Sequence, residues 1–437
     1  MQIVVANPPG ILDNGKYIVP FASRCDWIGD YKAETTYYPY DLGYLTTMLK
    51  QAGYNARLMD GHLTSIPAAE YTEQIQALEP SIFVAECAHL SYPTMTRILN
   101  DLKAQRPTKG ILCGPFGTTY PGRARLDGWD VVIEREFQDK VLAEIMGRPY
   151  PTGPVDPNTL PFPDNEDLPR IAYWEQNCAT KPMVQVYASR GCTMRCGFCV
   201  APIYYGGYDA KGYTLTRHPD NVLAEVEYLL DTYPGLPGVF FDEENHAANI
   251  RWLRALANRI IERGLNGIAY EAMCGYWTFK QADIELLARA GYKKLRLGVE
   301  SLATETAGGK GGKRVAQERL TNVLTWCKDN GIRVHLYTMI GVPGSSERGD
   351  LSTLEALIAY KAYKMVESIQ HSVCTPNPGT LLHQQCIDNG WLTSLDPLDY
   401  HWHSPVIDRP EYPAERVRTV ASAYAQYAHL EYEVVKP

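Results

Sequence analysis

Long apolar runs and a stripe of basic residues are missing from this chain of 437 residues. No apolar segment approaches the ~20 residues needed to cross a bilayer, and the opening residues MQIVVANPPG are typical of a strand rather than of a leader peptide. The net charge is -8, and no cluster of Lys and Arg offsets it, which argues against nucleic acid as a main partner. We therefore expect a cytoplasmic protein without a membrane span.

The cysteines do not have the pattern of a disulfide framework. There are 11 of them, an odd number, and Cys192, Cys196 and Cys199 lie close together in the segment SRGCTMRCGFC. This spacing suits metal ligation and agrees with a reducing compartment. The other cysteines are scattered singly, and most have the pattern of small buried apolar residues.

Length and composition favour a folded protein of two domains with a small appendage. Hydrophobic residues make up 45% of the chain and charged residues 21%, as in an ordinary globular protein. In residues 1–147, short apolar strands alternate with helical stretches, which predicts an α/β, doubly wound (Rossmann-like) domain with a parallel sheet covered on both faces.

Proline-rich residues 148–175 predict an extended linker, because each proline disfavours helix in the residue before it. In residues 176–390, strand and helix alternate six times, which predicts a partial barrel with its function at the carboxyl ends of the strands. Residues 391–437 are expected to form a loop and a terminal helix that cap the barrel.

The three clustered cysteines follow the first barrel strand and therefore lie where a barrel places its active site. Three thiolates bind three irons of a cubane iron-sulfur cluster, whose usual complement is four cysteines, so one iron stays open. An open coordination position is the mark of a catalytic metal site. A structural zinc site is the alternative, but no second CxxC or HxxxH pair follows at a distance.

The CxxxCxxC motif, with the aromatic Phe198 before the last cysteine, resembles that of the radical S-adenosylmethionine (SAM) superfamily. The resemblance implies a 4Fe-4S cluster on Cys192, Cys196 and Cys199. In that superfamily the open iron chelates the amino and carboxylate groups of SAM, and one electron splits the sulfonium to give a 5'-deoxyadenosyl radical.

The same resemblance implies SAM contacts at later strand ends. Asp242, Glu243 and Glu244 match acidic residues that accept hydrogen bonds from the SAM amino group. A solvated acidic turn is the alternative for any one of them. Glu300 and Ser301 are the candidates for contacts to the ribose or carboxylate of SAM. Ile340 and Gly341 of the glycine turn are the candidates for contacts to the adenine.

Three further segments resemble one branch of the superfamily, which carries an N-terminal cobalamin-binding domain. They are the opening NPP at residues 7–9, the linker LPFPDNEDLP at residues 160–169 and residues 375–392 after the sixth strand. Cobalamin is then expected at loops that follow the parallel strands. The candidate contacts are Asn7, Pro8, Asp60, Glu86, Cys87, Gly114, Pro115, Gly117 and Glu134. A domain that kept its fold and lost this ligand is the alternative.

The histidines add little at this stage. His62 follows the second strand, whereas cobalamin-binding mutases carry their cobalt ligand after the first, so a surface histidine is the expectation. His401 and His403 are candidates for substrate contact or proton transfer, with solvated surface as the alternative, and His89 has no assigned role. Many relatives place an arginine after the third barrel strand, where this chain has EAMCGYW.

The resemblance implies a cobalamin-dependent radical SAM enzyme, with methyl transfer from methylcobalamin to an unactivated carbon as the expected reaction. A non-methylating oxidation, cyclisation or rearrangement is the first alternative. A cobalamin-binding sensor or scaffold with a structural cluster is the second. The expected partners are a small-molecule or natural-product substrate and an external electron donor such as flavodoxin or ferredoxin.

Overall fold

The computed structural model describes residues 1–20, 26–29, 32, 35–208, 213–303, 317–396, 399–400 and 404–434. The chain divides into two compact units. The first comprises Met1–Tyr187, Val200–Leu215 and Leu229–Pro234, and the second comprises Ala188–Cys199, Thr216–Tyr228 and Gly235–Pro437. Among the described residues, no helix has the length and apolar character needed to cross a membrane. The domain boundaries at residues 147, 175 and 390 stay predictions.

Strands and helices alternate along most of the chain. The strands are β1 (Gln2–Pro9), β2 (Tyr17–Pro20), β3 (Asp26–Gly29), β4 (Asn55–Gly61), β5 (Ile82–Glu86), β6 (Lys109–Cys113), β7 (Val131–Val132), β8 (Val184–Val186), β9 (Ser189–Arg190), β10 (Leu215–Thr216), β11 (Gly238–Phe241), β12 (Ala269–Cys274), β13 (Tyr292–Glu300), β14 (Arg333–Ile340) and β15 (Ser368–Val373). The helices are α1 (Tyr40–Gln51), α2 (Ala68–Ala77), α3 (Tyr92–Gln105), α4 (Pro115–Thr119), α5 (Pro121–Leu126), α6 (Gln138–Met146), α7 (Ala201–Tyr204), α8 (Pro219–Thr232), α9 (Ile250–Glu262), α10 (Gln281–Arg289), α11 (Gln317–Asp329), α12 (Glu347–Ala362), α13 (Leu381–Asp388) and α14 (Ala414–Val434).

The first unit is built on a five-stranded parallel sheet in the order β4-β1-β5-β6-β7. Strand β1 lies inside the sheet between β4 and β5, and its residues 3–6 have no exposed surface, as expected of a strand covered on both faces. The strand order reverses between β1 and β5. In sheets of this kind, ligands bind in the crevice outside the carboxyl ends of the strands at such a reversal.

An antiparallel hairpin, β2 with β3, interrupts the alternation and was not expected from the sequence. It is attached to the sheet domain through Asp26, whose buried carboxylate accepts a hydrogen bond of 3.1 Å from the backbone N–H of Ser91 at the start of α3. A hydrogen-bond acceptor suits this position because the N–H groups of a helix N-terminus lack partners within the helix.

The proline-rich segment after residue 147 has no helix or strand until Arg170, and it is held firmly in the first unit. Lys50 donates to the carboxylate of Asp164 at 2.5 Å and lies 3.0 Å from that of Asp167. Asp167 also accepts from the backbone N–H of Leu58 on β4 at 2.8 Å. The linker signature therefore anchors the segment to the first unit.

The second unit contains strands β11 to β15, each paired in parallel with the next in chain order. Helices intervene between successive strands, and their starts carry recognisable caps. Asn249 accepts from the backbone N–H of Trp252 at α9, and Ser346 accepts from that of Gly349 at α12. All six strands predicted for the barrel are present, the first of them as β8, and the predicted α/β fold class is confirmed.

Candidate active site

The three clustered cysteines lie on one irregular loop between β9 and α7. Cys196 is buried, whereas Cys192 and Cys199 are partly exposed. The loop is tied down by its backbone: Cys199 N–H donates to Cys196 O at 2.9 Å, and Leu382 N–H on α13 donates to Gly197 O at 2.9 Å. The motif is therefore presented on a fixed scaffold at the end of a strand.

The donor set of this loop, three thiols, is the one that a cubane iron-sulfur cluster takes. Among the described residues, no group of three or more His, Cys, Asp or Glu side chains is placed to hold one metal ion. A cubane does not need such convergence, because each thiolate binds a different iron. The backbone N–H of Met194 lies 3.4 Å from the sulfur of Cys192, a donor that stabilises a ligating thiolate.

Phe198 packs against an apolar cluster formed by Val342, Cys374, Leu382, Cys386 and Ile407. Val342 follows the glycine turn that the sequence marks as a nucleoside site. The fold therefore brings the cysteine loop and this turn to the same place in the second unit.

The acidic trio after β11 divides by orientation. Glu243 has no exposed surface, and its carboxylate contacts His246 Nδ1 at 2.5 Å and accepts from the backbone N–H of Ala188 at 3.4 Å. His246 is held in turn by the hydroxyl of Tyr292 at 2.8 Å. Glu243 therefore pairs within the interior, whereas Glu244 is the one member of the trio that is partly exposed. The SAM contacts expected of Asp242, Glu243 and Glu244 stay predictions.

The strand end at Glu300 has an unusual backbone. Glu300 has a φ of +58°, in the left-handed region, at an irregularity in the β13–β14 pairing. Strain of this kind at a non-glycine residue is common at binding sites. Ser301 is buried, and its hydroxyl lies 3.4 Å from that of Thr353 on α12 and accepts from Ala303 N–H at 3.2 Å. Ser301 therefore fixes the loop that carries Glu300.

The glycine turn after β14 needs its glycine for packing as well as for close approach. Gly341 has a φ of +77°, and a Cβ there would lie 3.0 Å from a methyl of Val417 on α14. Its N–H donates to the carboxylate of Asp350 at 2.8 Å. Ile340, the preceding residue, is fully buried.

At the carboxyl edge of the first unit's sheet, Asp60 is saturated by protein donors. Its carboxylate accepts from the Asn7 side chain at 2.8 Å, from the Tyr173 hydroxyl at 2.8 Å, and from the N–H groups of His62 and Leu63. Asp60 and Asn7 therefore fasten β1, β4 and the linker together. Their expected contact with a cofactor stays a prediction.

The remaining candidate cofactor contacts at that edge differ in burial and in how closely their neighbours pack. Glu86 is buried at the end of β5, and a Cβ at Gly114, whose φ is +89°, would lie 2.8 Å from its Cγ. Cys87 is also buried, and burial raises the pKa of its thiol well above the usual range. Pro8 lies within β1, Pro115 begins α4, a Cβ at Gly117 would meet Val132 at 3.3 Å, and Glu134 is exposed.

The expectation of a surface position for His62 is wrong, because only 4% of the residue is exposed. It is enclosed where β4 ends beside β1, and burial lowers its pKa, against the opposing effect of Asp60. Its Nε2 has no hydrogen-bond partner among the described residues. His89 is partly exposed, whereas His401 and His403 lie outside the described residues.

Sequence reasoning missed His246, Tyr173 and Arg409, each of which holds a predicted site residue or turn in place. His246 stands three residues after Glu243, a spacing that was visible in DEENH. Tyr173 and Arg409 lie 113 and 67 residues from their partners, so nothing local marks them.

Comparison with known proteins decides the family. The model of the Radical SAM superfamily matches residues 186–378. These residues include the cysteine loop, the loop at Glu300 and Ser301 and the glycine turn at Gly341. Residues 186–378 of the chain therefore form a Radical SAM domain. The protein is a radical SAM enzyme, and the predicted 4Fe-4S cluster and SAM are confirmed as its cofactors.

Relatives of this radical SAM enzyme extend the likeness beyond the matched region. An uncharacterised methyltransferase of Pyrococcus horikoshii is 22% identical over 90% of this chain and 88% of its own length. Hopanoid C-3 methylase of Methylococcus capsulatus is 22% identical over 89% of this chain and 77% of its own. The solved structure of the methyltransferase TsrM from Kitasatospora setae, with cobalamin and a [4Fe-4S] cluster bound, covers 95% of this chain and 80% of its own, at a TM-score of 0.66 and 16% identity.

Proposed function

We propose that this radical SAM enzyme is cobalamin-dependent and transfers a methyl group to an unactivated carbon of a small molecule. The observation that carries the proposal is the union of a three-cysteine loop with a separate five-stranded parallel sheet in one chain. Two similarities over most of the chain support it: relatives named as methyltransferases, and the fold of TsrM, solved with cobalamin bound.

The residues of the second unit have defined tasks in this proposal. Cys192, Cys196 and Cys199 hold the cluster, and Glu244 accepts from the SAM amino group while Gly341 leaves room for the nucleoside. When bound, the cluster supplies the electron that cleaves SAM, and cobalamin supplies the methyl group. Phe198 and the apolar cluster beside it exclude water from this region, which protects a radical from side reactions.

Cobalamin is proposed at the carboxyl edge of the first unit's sheet. The strand order reverses there, and buried polar side chains collect at the strand ends, among them Glu86 and His62. The buried Nε2 of His62, without a partner among the described residues, suits a site completed by a polar ligand.

We further propose a cytoplasmic protein that receives electrons from a flavodoxin or a ferredoxin. The close spacing of Cys192, Cys196 and Cys199, which suits metal ligation rather than a disulfide framework, supports a reducing compartment. The same donor is required by any cleavage of SAM at this cluster, whether or not a methyl group is transferred.

The test is anaerobic reconstitution with iron, sulfide and cobalamin, followed by an ultraviolet-visible spectrum and by incubation with SAM and dithionite. Separate cobalamin and iron-sulfur bands are expected, with release of 5'-deoxyadenosine and S-adenosylhomocysteine. Cluster and cleavage should be lost with alanine at Cys192, Cys196 and Cys199 and kept in the control Cys327→Ser, because Cys327 is buried on α11 away from the motif.

Each outcome separates the candidate functions. Release of 5'-deoxyadenosine without S-adenosylhomocysteine, and with no methylene unit added to any product, supports non-methylating radical chemistry instead. A protein that binds both cofactors and releases neither product is a sensor or scaffold. A triple alanine variant that still assembles the cluster and cleaves SAM overturns the proposal.

A further inference from the structure

The turn after β14 is a compact β-turn with a sequence reason for its shape. Residues 342–345 read Val-Pro-Gly-Ser, and Ser345 N–H donates to Val342 O at 2.7 Å. Proline suits the second position of such a turn, and Gly344, with a φ of +92°, suits the third. The turn follows Gly341 directly, so its position sets the surface proposed for the SAM nucleoside.

Arg409, from the C-terminal segment, holds both ends of this turn. Its Nη2 donates to Val342 O at 3.2 Å and to Ser345 O at 3.2 Å. The residue is only 2% exposed. A planar guanidinium can direct several N–H groups in fixed directions, which a lysine cannot reproduce.

Asp350 on α12 fixes the opposite side of the same turn. Its carboxylate accepts from Gly341 N–H at 2.8 Å, and its backbone carbonyl accepts from the Tyr424 hydroxyl on α14 at 2.8 Å. Burial raises the pKa of Asp350 to about 6, and the charge of Arg409 is among the effects that oppose the rise. The two side chains thus support each other across the turn.

The same turn of α12 also reaches the loop after β13. Thr353, one helical turn beyond Asp350, accepts from Leu302 N–H at 3.1 Å and contacts Ser301. One helix face therefore sets the spacing between the Glu300–Ser301 loop and the Gly341 turn. The C-terminal segment closes this frame through Arg409 and through Val417, which packs on Gly341.

We propose that Arg409 is a positioning residue for the nucleoside of SAM, so that the C-terminal segment completes the SAM site by fixing the turn at residues 341–345. This inference rests on the proposed function only in placing the nucleoside at Gly341. Arg409 itself does not contact the reacting atoms.

The test compares Arg409→Met and Arg409→Lys with the control Arg416→Met in reconstituted protein. Arg416 also comes from the C-terminal segment and pairs with Glu347 of α12, but this pair is exposed and the structure gives it no contact with the turn. Calorimetry measures the Kd of SAM and, separately, of 5'-deoxyadenosine, which lacks the groups that bind iron. Iron content and the kcat at saturating SAM are measured beside them.

Arg409→Met should raise both Kd values about 10-fold, the scale of one or two lost hydrogen bonds, with iron content unchanged and kcat within about 2-fold. Arg409→Lys should recover part of the affinity. If the methionine variant does not fold, the two Kd values are measured in the lysine variant instead. Arg416→Met should match the wild type. Unchanged Kd values in both Arg409 variants, beside a wild type that cleaves SAM, overturn this inference alone, whereas a wild type that neither binds nor cleaves SAM overturns the proposed function.

Discussion

Substituting Gly341 by alanine tests the glycine turn directly. A φ of +77° costs an L-residue about 1–2 kcal/mol. The new Cβ would also stand 3.0 and 3.2 Å from the two methyls of Val417, which is buried on α14 and must move. We therefore expect Gly341→Ala to lower the free energy of unfolding by about 2–3 kcal/mol and to weaken SAM binding.

The control for this prediction is Gly390→Ala. Gly390 has a φ of +64° and nothing within 4 Å of an added Cβ, so it carries the backbone cost alone. Urea denaturation measures the free energy of unfolding of both variants, and the difference between them is the cost of the clash with Val417. Val417→Ala in the Gly341→Ala background should remove this difference. If Gly341→Ala destabilises no more than Gly390→Ala and keeps its SAM affinity, the packing argument is refuted.

Three further outcomes follow from buried charges and thiols. Burial raises the pKa of Asp26 to about 6, so the free energy of unfolding should fall by about 3 kcal/mol as pH rises through 4–6 and the side chain ionises. In urea denaturation, Asp26→Asn should therefore gain stability relative to the wild type between pH 4.5 and 7.5, and a relative loss would contradict this. Arg296→Met should cost about 3–5 kcal/mol because it removes the buried guanidinium that pairs with the carboxylate of Glu271. Glu271→Leu with Arg296→Met should recover most of that cost, and the absence of this rescue would tell against the ion pair. The raised pKa of Cys87 predicts no alkylation by iodoacetamide at pH 8 in native, cluster-free protein, under conditions that label the cysteine loop, as read by mass spectrometry.

The cluster motif and the strand pattern could be predicted from the sequence because both are local. Cys192, Cys196 and Cys199 share one short loop, and residues 3–6 or 82–85 show their burial as a continuous apolar run. The antiparallel strands at residues 17–20 and 26–29 escaped this reasoning because each is only four residues long. Asp26 has the pattern of a solvated charge, and only the fold places Ser91 beside it.

The role of each acidic residue after β11 could not be predicted, because it depends on which neighbour faces it. Asp242, Glu243 and Glu244 are equivalent in the sequence, yet the fold places Glu243 against His246 and the backbone N–H of Ala188. His62 was misplaced for the same reason. Its burial arises from residues that are distant along the chain, and no local pattern marks it.

By itself, the sequence determined the chemistry of this protein, because its three clustered thiols have a spacing that leaves one iron open. It also indicated an α/β fold through two regions in which strands and helices alternate. Tertiary structure alone decided which side chains hold that chemistry in place. Arg409 contacts Val342 across 67 residues and Tyr173 contacts Asp60 across 113. Contacts at such separations form only when the chain folds. They cannot be predicted from the sequence, because its periodicity shows which residues share a helix face or a strand face but not what packs against that face.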